Sequence, residues 1–222
     1  TRKIPKKFQA SPQSTGDLEL QRPPRSSPQC KHVGFILDGN ARWARRRNLP
    51  IQSGHFKGAE RAISILKTCH KQSIPYVTLY IFSAENWSRS PREVSDIMSI
   101  VQLYIRKFYR EAKEECIRVR LLGDVHGLPD SVRCALEKLR DDSSEWCKNN
   151  NSMMIKMNQN TNNNIEEYQR TVCLAINYGA RQDMLRACQA LLAKQQQSDD
   201  ASKPSEITLK DIENHLSTAE IP

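Results

Sequence analysis

The sequence predicts an α/β domain: a parallel sheet covered by helices on both faces. Three observations carry that expectation. Runs of aliphatic, β-branched and aromatic residues recur at Val33–Leu37, Tyr76–Phe82, Ile117–Leu122 and Val172–Ile176. The stretches between them are long enough for helices of ten or more residues, the connection that parallel strands require. Each run stops at polar or turn-forming residues, which puts reactive side chains at the carboxyl edge of the sheet, where open α/β sheets bind ligands.

Residues 1–31 hold seven basic side chains against two acidic ones, a net +5, in a tract rich in Pro, Ser and Gln. Such a tract buries no core and reads as a disordered basic arm, with residues 32–222 as one domain. Val33 to Leu37 is nearly unbroken in apolar residues and reads as a strand buried on both faces. It ends at Asp38-Gly39-Asn40, where glycine supplies a positive φ and asparagine tolerates one, so Asp38 sits at the strand's carboxyl end. Arg42, Arg45, Arg46 and Arg47 follow at once. A lone carboxylate beside so dense a positive field suits Mg2+ and a polyanion such as diphosphate, although a strand, a turn and a solvated basic helix explain the same residues.

Pro50 and Ser53-Gly54 are expected to break the first helix, with a new one from near Gly54 to about Lys71. Ala59, Ala62, Ile63, Leu66 and Cys69 keep three-and-four spacing along it. Gly54 and Gly58 in its first turns would leave amides uncovered for a phosphate, with His55 and Lys57 adding charge-assisted bonds. A cap or packing role for His55 is the commoner alternative. The second strand ends in Ser83-Ala84-Glu85-Asn86-Trp87-Ser88-Arg89, again polar. Pro91 opens a helix to about Glu115, whose apolar face (Val94, Ile97, Met98, Val101, Tyr104, Ile105 and Phe108) is ordinary core or one wall of a hydrocarbon pocket. A third strand, a helix from Leu128 to about Lys148 and an Asn-rich connection over 149–164 come next. Asp141-Asp142-Ser143-Ser144-Glu145 in that helix mimics an aspartate-rich metal motif and reads as a solvated face. The fourth strand closes on Asn177-Tyr178-Gly179; a helix from Arg181 to Lys194, a polar loop over 195–205 and a short helix from Thr208 complete the chain.

The formal net charge of +9 calls for an anionic partner: phosphate esters, nucleic acid or an acidic membrane surface. No apolar run approaches the roughly 20 residues that span a bilayer. Seven scattered cysteines without a Cys-x-x-Cys pair point to reduced thiols in an intracellular compartment and away from a zinc site.

His32-Val33 with Asp38-Gly39-Asn40-Ala41-Arg42-Trp43-Ala44, then Gly54-His55 and Gly58, then Phe82-Ser83 with Glu85-Asn86-Trp87-Ser88-Arg89 and Glu93, then Asn177-Tyr178-Gly179 resemble the cis-prenyltransferase family in order and spacing. These are the undecaprenyl and dehydrodolichyl diphosphate synthases and their shorter-chain plant relatives. The resemblance implies cis-prenyl chain elongation, in which isopentenyl diphosphate condenses with an allylic diphosphate to give a Z-polyprenyl diphosphate. It implies that Asp38 holds Mg2+ on the allylic diphosphate, that Gly39, Asn40, Ala41 and Arg42 cradle that group, and that His55 contacts it. Ser83, Ala84, Glu85 and Asn86 would lie beside isopentenyl diphosphate, with Asn86 a candidate for taking the proton lost. Trp43 and Trp87 would pack near the prenyl chains, and Arg89 would pair with phosphate or brace the loop.

The sequence departs from the family at Ile51, where many members carry arginine, and at Ile221-Pro222, where the family continues with Arg-x-Gly-Gly-Glu-x-Arg-x-Ser and two further strands. A truncated domain without those strands is the expectation. Ile81, where long-chain members place a small residue, leans towards a short or medium product. A homodimer or heterodimer, peripheral membrane association, and residence in the cytoplasm, on the endoplasmic reticulum surface or in a plastid are further implications. Two other readings compete. One is a non-catalytic subunit paired with an active partner. The other is a nucleic-acid-binding protein driven by the basic arm and Arg42–Arg47, disfavoured because few aromatics interleave the arm's charges.

Overall fold

The computed structural model describes residues 30–158, 170–196, 207–219 and 221–222, and the side chains of these apart from 148–158 and 196. Among them four parallel strands, β1 (His32–Ile36), β2 (Tyr76–Ser83), β3 (Arg118–Leu122) and β4 (Thr171–Tyr178), form one sheet in the order β1-β2-β4-β3. Six helices accompany them: α1 (Asn40–Arg45), α2 (Ile51–Lys71), α3 (Pro91–Glu114), α4 (Asp130–Asn158), α5 (Ala180–Gln196) and α6 (Leu209–His215). The expected basic arm falls, up to residue 29, outside the described residues.

The alternation along β4 divides the core in two. Val172, Leu174 and Ile176 point to one face, where the apolar stripes of α2, α3 and α4 bury Leu66, Ile97, Val101, Ile105, Leu136 and Leu139 against them. Cys173 and Ala175 point to the other, where a smaller cluster with Leu122 is closed by Tyr178 and Ile221. Buried Asp183 of α5 secures that second cluster by accepting hydrogen bonds from the Ser217 amide and hydroxyl, at 3.2 and 2.9 Å. The Arg120 guanidinium donates to the Ala219 carbonyl, and His32 bridges Thr78 Oγ1 and the Pro222 carbonyl. Among the described residues no helix is long and apolar enough to cross a membrane.

Several boundaries differ from expectation for physical reasons. β1 is an edge strand, not one buried on both faces: Ile36 is 79% exposed, because β2 pairs with it on one side alone among the described residues. α2 starts at Ile51 with Pro50 as its N-cap, so Ser53-Gly54 lies inside the helix and does not break it. α4 runs on to Asn158 through much of the Asn-rich stretch, whose remaining residues 159–164 lie outside the described residues. In that helix Asp141 is bonded by Arg140 and Asp142 by Tyr109 and Lys138, which accounts for both carboxylates within the fold.

Candidate active site

The parallel register brings three segments to one edge. Ile36 pairs with Tyr80 and Ser83 with Tyr178, so the chain leaving β1, the chain leaving β2 and the end of β4 are neighbours at the carboxyl edge. Leaving β1, Gly39 takes φ 87° as the N-cap of α1, a left-handed conformation that glycine adopts without strain. Its amide bonds one oxygen of Asp38, and Arg42 donates to the other at 2.9 Å. Asp38 and Arg42 are 74% and 67% exposed. An ion pair that open to water is worth at most about 1 kcal/mol, so both partners can be recruited by a ligand at little cost. Trp43 lies under the Arg47 guanidinium, 4.4 Å from the ring centroid.

α1 is held against α2 at unusually short range. A Cβ at Gly54 would fall 2.1 Å from the Asn40 carbonyl oxygen, and one at Gly58 2.4 Å from the Asn40 side-chain oxygen. These glycines are therefore places of close helix packing, which corrects the expectation of uncovered amides at a helix start: Gly54 is buried, three residues inside α2. The packing sets Asn40 beside His55, and both line an apolar cavity of about 110 Å³. Ala59, Ile63 and Leu66 of α2, Ile97, Val101 and Tyr104 of α3, and Leu79 and Ile81 of β2 enclose it. The apolar face of α3 is thus a cavity wall as well as core.

His55 stands between the two helices. Burial lowers its pKa, and Glu93, 3.5 Å away, opposes that shift. The separation is too long for a good hydrogen bond, and His55 Nε2 is a buried nitrogen without a hydrogen-bond partner among the described residues. Burial pushes the Glu93 carboxyl up, but the Arg89 bond at 2.7 Å and His55 outweigh it and hold the group below the usual carboxylate range. Arg89 therefore braces the loop through Glu93.

After β2, Ala84–Ser88 forms one 3-10 turn. Asn86 Oδ1 accepts the Ser83 amide at 3.0 Å, which fixes the carboxamide against the strand end. Glu85 is exposed; its own amide and the Ser83 side chain lower its pKa. Trp87 packs edge-on against Phe82 and donates to Asn177 Oδ1 at 2.8 Å. Neither Trp43 nor Trp87 lines the apolar cavity; Trp87 and Arg89 instead border an open groove between the starts of α3 and α4. Two residues given no individual role above emerge as organisers. Glu93 ties His55 to Arg89, and its spacing of four from Arg89 was the available signal. Asn177, with φ 48°, joins Trp87 to the Asp124 carbonyl. Among the described residues no cluster of three or more His, Cys, Asp or Glu side chains could hold a metal unaided.

The family profile described as putative undecaprenyl diphosphate synthase matches residues 36–166. An isoprenyl transferase of Rickettsia bellii is 34% identical over 86% of this chain and 72% of its own length. One of Rhizobium meliloti is 34% identical over 86% and 68%. Among solved structures, lavandulyl diphosphate synthase from Lavandula x intermedia, determined with dimethylallyl diphosphate, superposes with a TM-score of 0.68 at 25% identity, covering 85% of this chain and 71% of that one. A probable undecaprenyl diphosphate synthase of Campylobacter jejuni shares the fold, with a TM-score of 0.58 at 21% identity over 85% and 70%. A profile that spans more than half the chain, with relatives aligned along most of their own length, makes this protein a prenyltransferase and a member of the cis-prenyltransferase family, that of undecaprenyl diphosphate synthase.

Proposed function

We infer that the chain condenses isopentenyl diphosphate with an allylic diphosphate to give a Z-polyprenyl diphosphate. One observation carries the reading: an apolar cavity whose lining includes the polar side chains of Asn40 and His55, with Asp38 just before α1 and its partner Arg42 on the same short helix as Asn40. That is the arrangement an amphiphile with a hydrocarbon tail and a diphosphate head requires. In the reaction the allylic carbon–oxygen bond breaks and diphosphate leaves with the electron pair. The double bond of isopentenyl diphosphate attacks the allylic carbon, and a proton is then lost. Negative charge builds on the leaving group, where Arg42, the Gly39 and Asn40 turn and His55 are positioned to offset it. Ala41 continues that turn into α1. The apolar cavity keeps water from the allylic cation.

Mg2+ fits the donor set. It commonly takes one or two carboxylates and completes its shell with phosphate oxygens and water, and Asp38 offers one exposed carboxylate. When bound it would hold diphosphate oxygens and offset their charge. In this reading Ser83, Ala84, Glu85 and Asn86, at the carboxyl end of β2, would lie beside the isopentenyl diphosphate. Asn86 keeps a lone pair of Oδ1 beyond the one that binds the Ser83 amide, and is our candidate for accepting the departing proton. Trp87 would flank the substrates as a fixed wall, Trp43 would do so from α1, and Arg89 would hold Glu93 beside His55. Ile81 in the cavity lining supports a short or medium product. Association with a second subunit belongs to the same reading, and exposed Met184, Leu185 and Leu192 on α5 offer an apolar face for it. Incorporation of radiolabelled isopentenyl diphosphate by the native chain and by Asp38→Ala tests the assignment. The variant is expected to lose nearly all incorporation; equal incorporation by both rejects it.

A further inference from the structure

The segments that follow β2 and β3 meet the end of β4 at one carboxamide. Asn177 accepts a hydrogen bond from the Trp87 indole N–H at Oδ1, at 2.8 Å, and donates one from Nδ2 to the Asp124 carbonyl, at 2.7 Å. Its own carbonyl accepts the Asp124 amide at 3.1 Å. An indole N–H only donates and a carbonyl only accepts, so this side chain must do both at once, from a backbone held at φ 48°. Asparagine meets both demands; aspartate lacks the donor, and glycine takes the φ but has no side chain. The loop after β3 closes tightly on the group, since a Cβ at Gly127 would fall 2.8 Å from Asn177 Nδ2. Trp87 itself is 39% exposed, so apolar burial does not fix it by itself. Among the described residues the other side-chain hydrogen bonds of its turn stay within that turn and Ser83: Asn86 to the Ser83 amide and Ser88 to the Glu85 carbonyl. The bond to Asn177 instead reaches across 90 residues of sequence to another strand.

We propose that Asn177 is a positioning residue for the second substrate: its carboxamide holds Trp87, and through Trp87 the turn bearing Glu85 and Asn86, in the orientation that isopentenyl diphosphate meets. This rests on the prenyl reading above. The allylic side is built apart from it, because Asp38, Asn40 and Arg42 follow β1 and His55 lies on α2, and Asn177 bonds none of them among the described residues. Removing the carboxamide therefore weakens one substrate and spares the other, a selectivity that general loosening of the fold does not produce.

The test is calorimetric titration of the full chain with isopentenyl diphosphate and, separately, with geranyl diphosphate as the allylic probe, with circular dichroism as the check on folding. Asn177→Gly adopts the positive φ without strain and removes both side-chain bonds. It is expected to weaken isopentenyl diphosphate about tenfold, the size of effect that losing one or two neutral hydrogen bonds gives, and geranyl diphosphate by less than about twofold. Trp87→Phe keeps a ring against Phe82, removes the N–H and is expected to show the same split, so the test survives if Asn177→Gly does not fold. The double variant should bind isopentenyl diphosphate no worse than the more impaired single one. Asn177→Asp keeps an acceptor for the indole and should lose less. In NMR spectra of tryptophan-labelled protein the Trp87 indole signal, identified by its absence from Trp87→Phe, should shift and exchange faster with solvent in Asn177→Gly and stay near its native position in Asn177→Asp. Equal weakening of both diphosphates, additive losses in the double variant, or native isopentenyl affinity in Asn177→Gly overturns the proposal. A native chain that binds neither diphosphate sinks the prenyl reading and the proposal with it, whereas a displaced indole signal with isopentenyl affinity intact sinks the proposal alone.

Discussion

Replacing Gly54 by alanine adds one methyl group where α2, the helix that carries His55, closely approaches the start of α1 at Asn40. The new Cβ would lie 2.1 Å from the Asn40 carbonyl oxygen and 2.8 Å from its carbonyl carbon. Ordinary carbon–oxygen contacts are about 3.3 Å, so the shortfall is about 1.2 Å. Both atoms are backbone, so α1 must shift as a body or α2 must tilt. Alanine in a helix interior gains about 1 kcal/mol over glycine, and overpacking costs about 1–3 kcal/mol, which leaves a net loss of up to about 2 kcal/mol. For a chain of this size each kcal/mol lowers Tm by about 2–4 °C. Displacement of Asn40 and Arg42 by about 1 Å is expected to reduce turnover on the order of a hundredfold, well beyond the loss of folded protein. Urea titration followed by circular dichroism, beside isopentenyl incorporation, reads both quantities. Gly58→Ala is the companion: its Cβ meets the Asn40 side chain, which can rotate away, so stability should change little while incorporation falls. A Gly54→Ala protein with native stability and native turnover would refute the packing argument.

Ile81→Ala enlarges the cavity and should move the product distribution towards longer chains on thin-layer or liquid chromatography; an unchanged distribution removes Ile81 from length control. Asp183→Ala strips a buried acceptor from Ser217, at a cost of about 1.5–3 kcal/mol, and should speed proteolysis within 207–222. Burial lowers the pKa of both His55 and His70 from an ordinary value near 6.5. The unfolded chain therefore takes up protons that the folded one resists, and stability rises with pH from about 5 to about 7. His70→Gln should flatten that slope in urea midpoints measured across the range; an unaltered slope would assign the dependence elsewhere.

What the sequence alone made legible follows from local chemistry. Strand and helix periods, the Asp-Gly-Asn turn and the proline that opens α3 are properties of a few consecutive residues, so the four strands and the place of Asp38 beyond the first of them could be read directly. The residue types at both strand ends carried the resemblance to the family that the profile and the relatives show. The boundaries that moved were those that neighbours decide. Ser53-Gly54 looks like a break, yet it continues α2, because the missing side chain is what lets α1 approach.

Tertiary structure decided everything that depends on who stands opposite. An apolar run reads alike in a central and an edge strand, and the strand order alone left Ile36 in water. Glu93 became the link between His55 and Arg89 because α2 and α3 lie side by side, a relation across 38 residues of sequence that no local pattern encodes. Trp87 likewise meets Phe82 edge-on and Asn177 through its N–H because the ends of β2 and β4 are neighbours, a relation across 90 residues of sequence. Sequence set which groups the site has; packing set which of them meet.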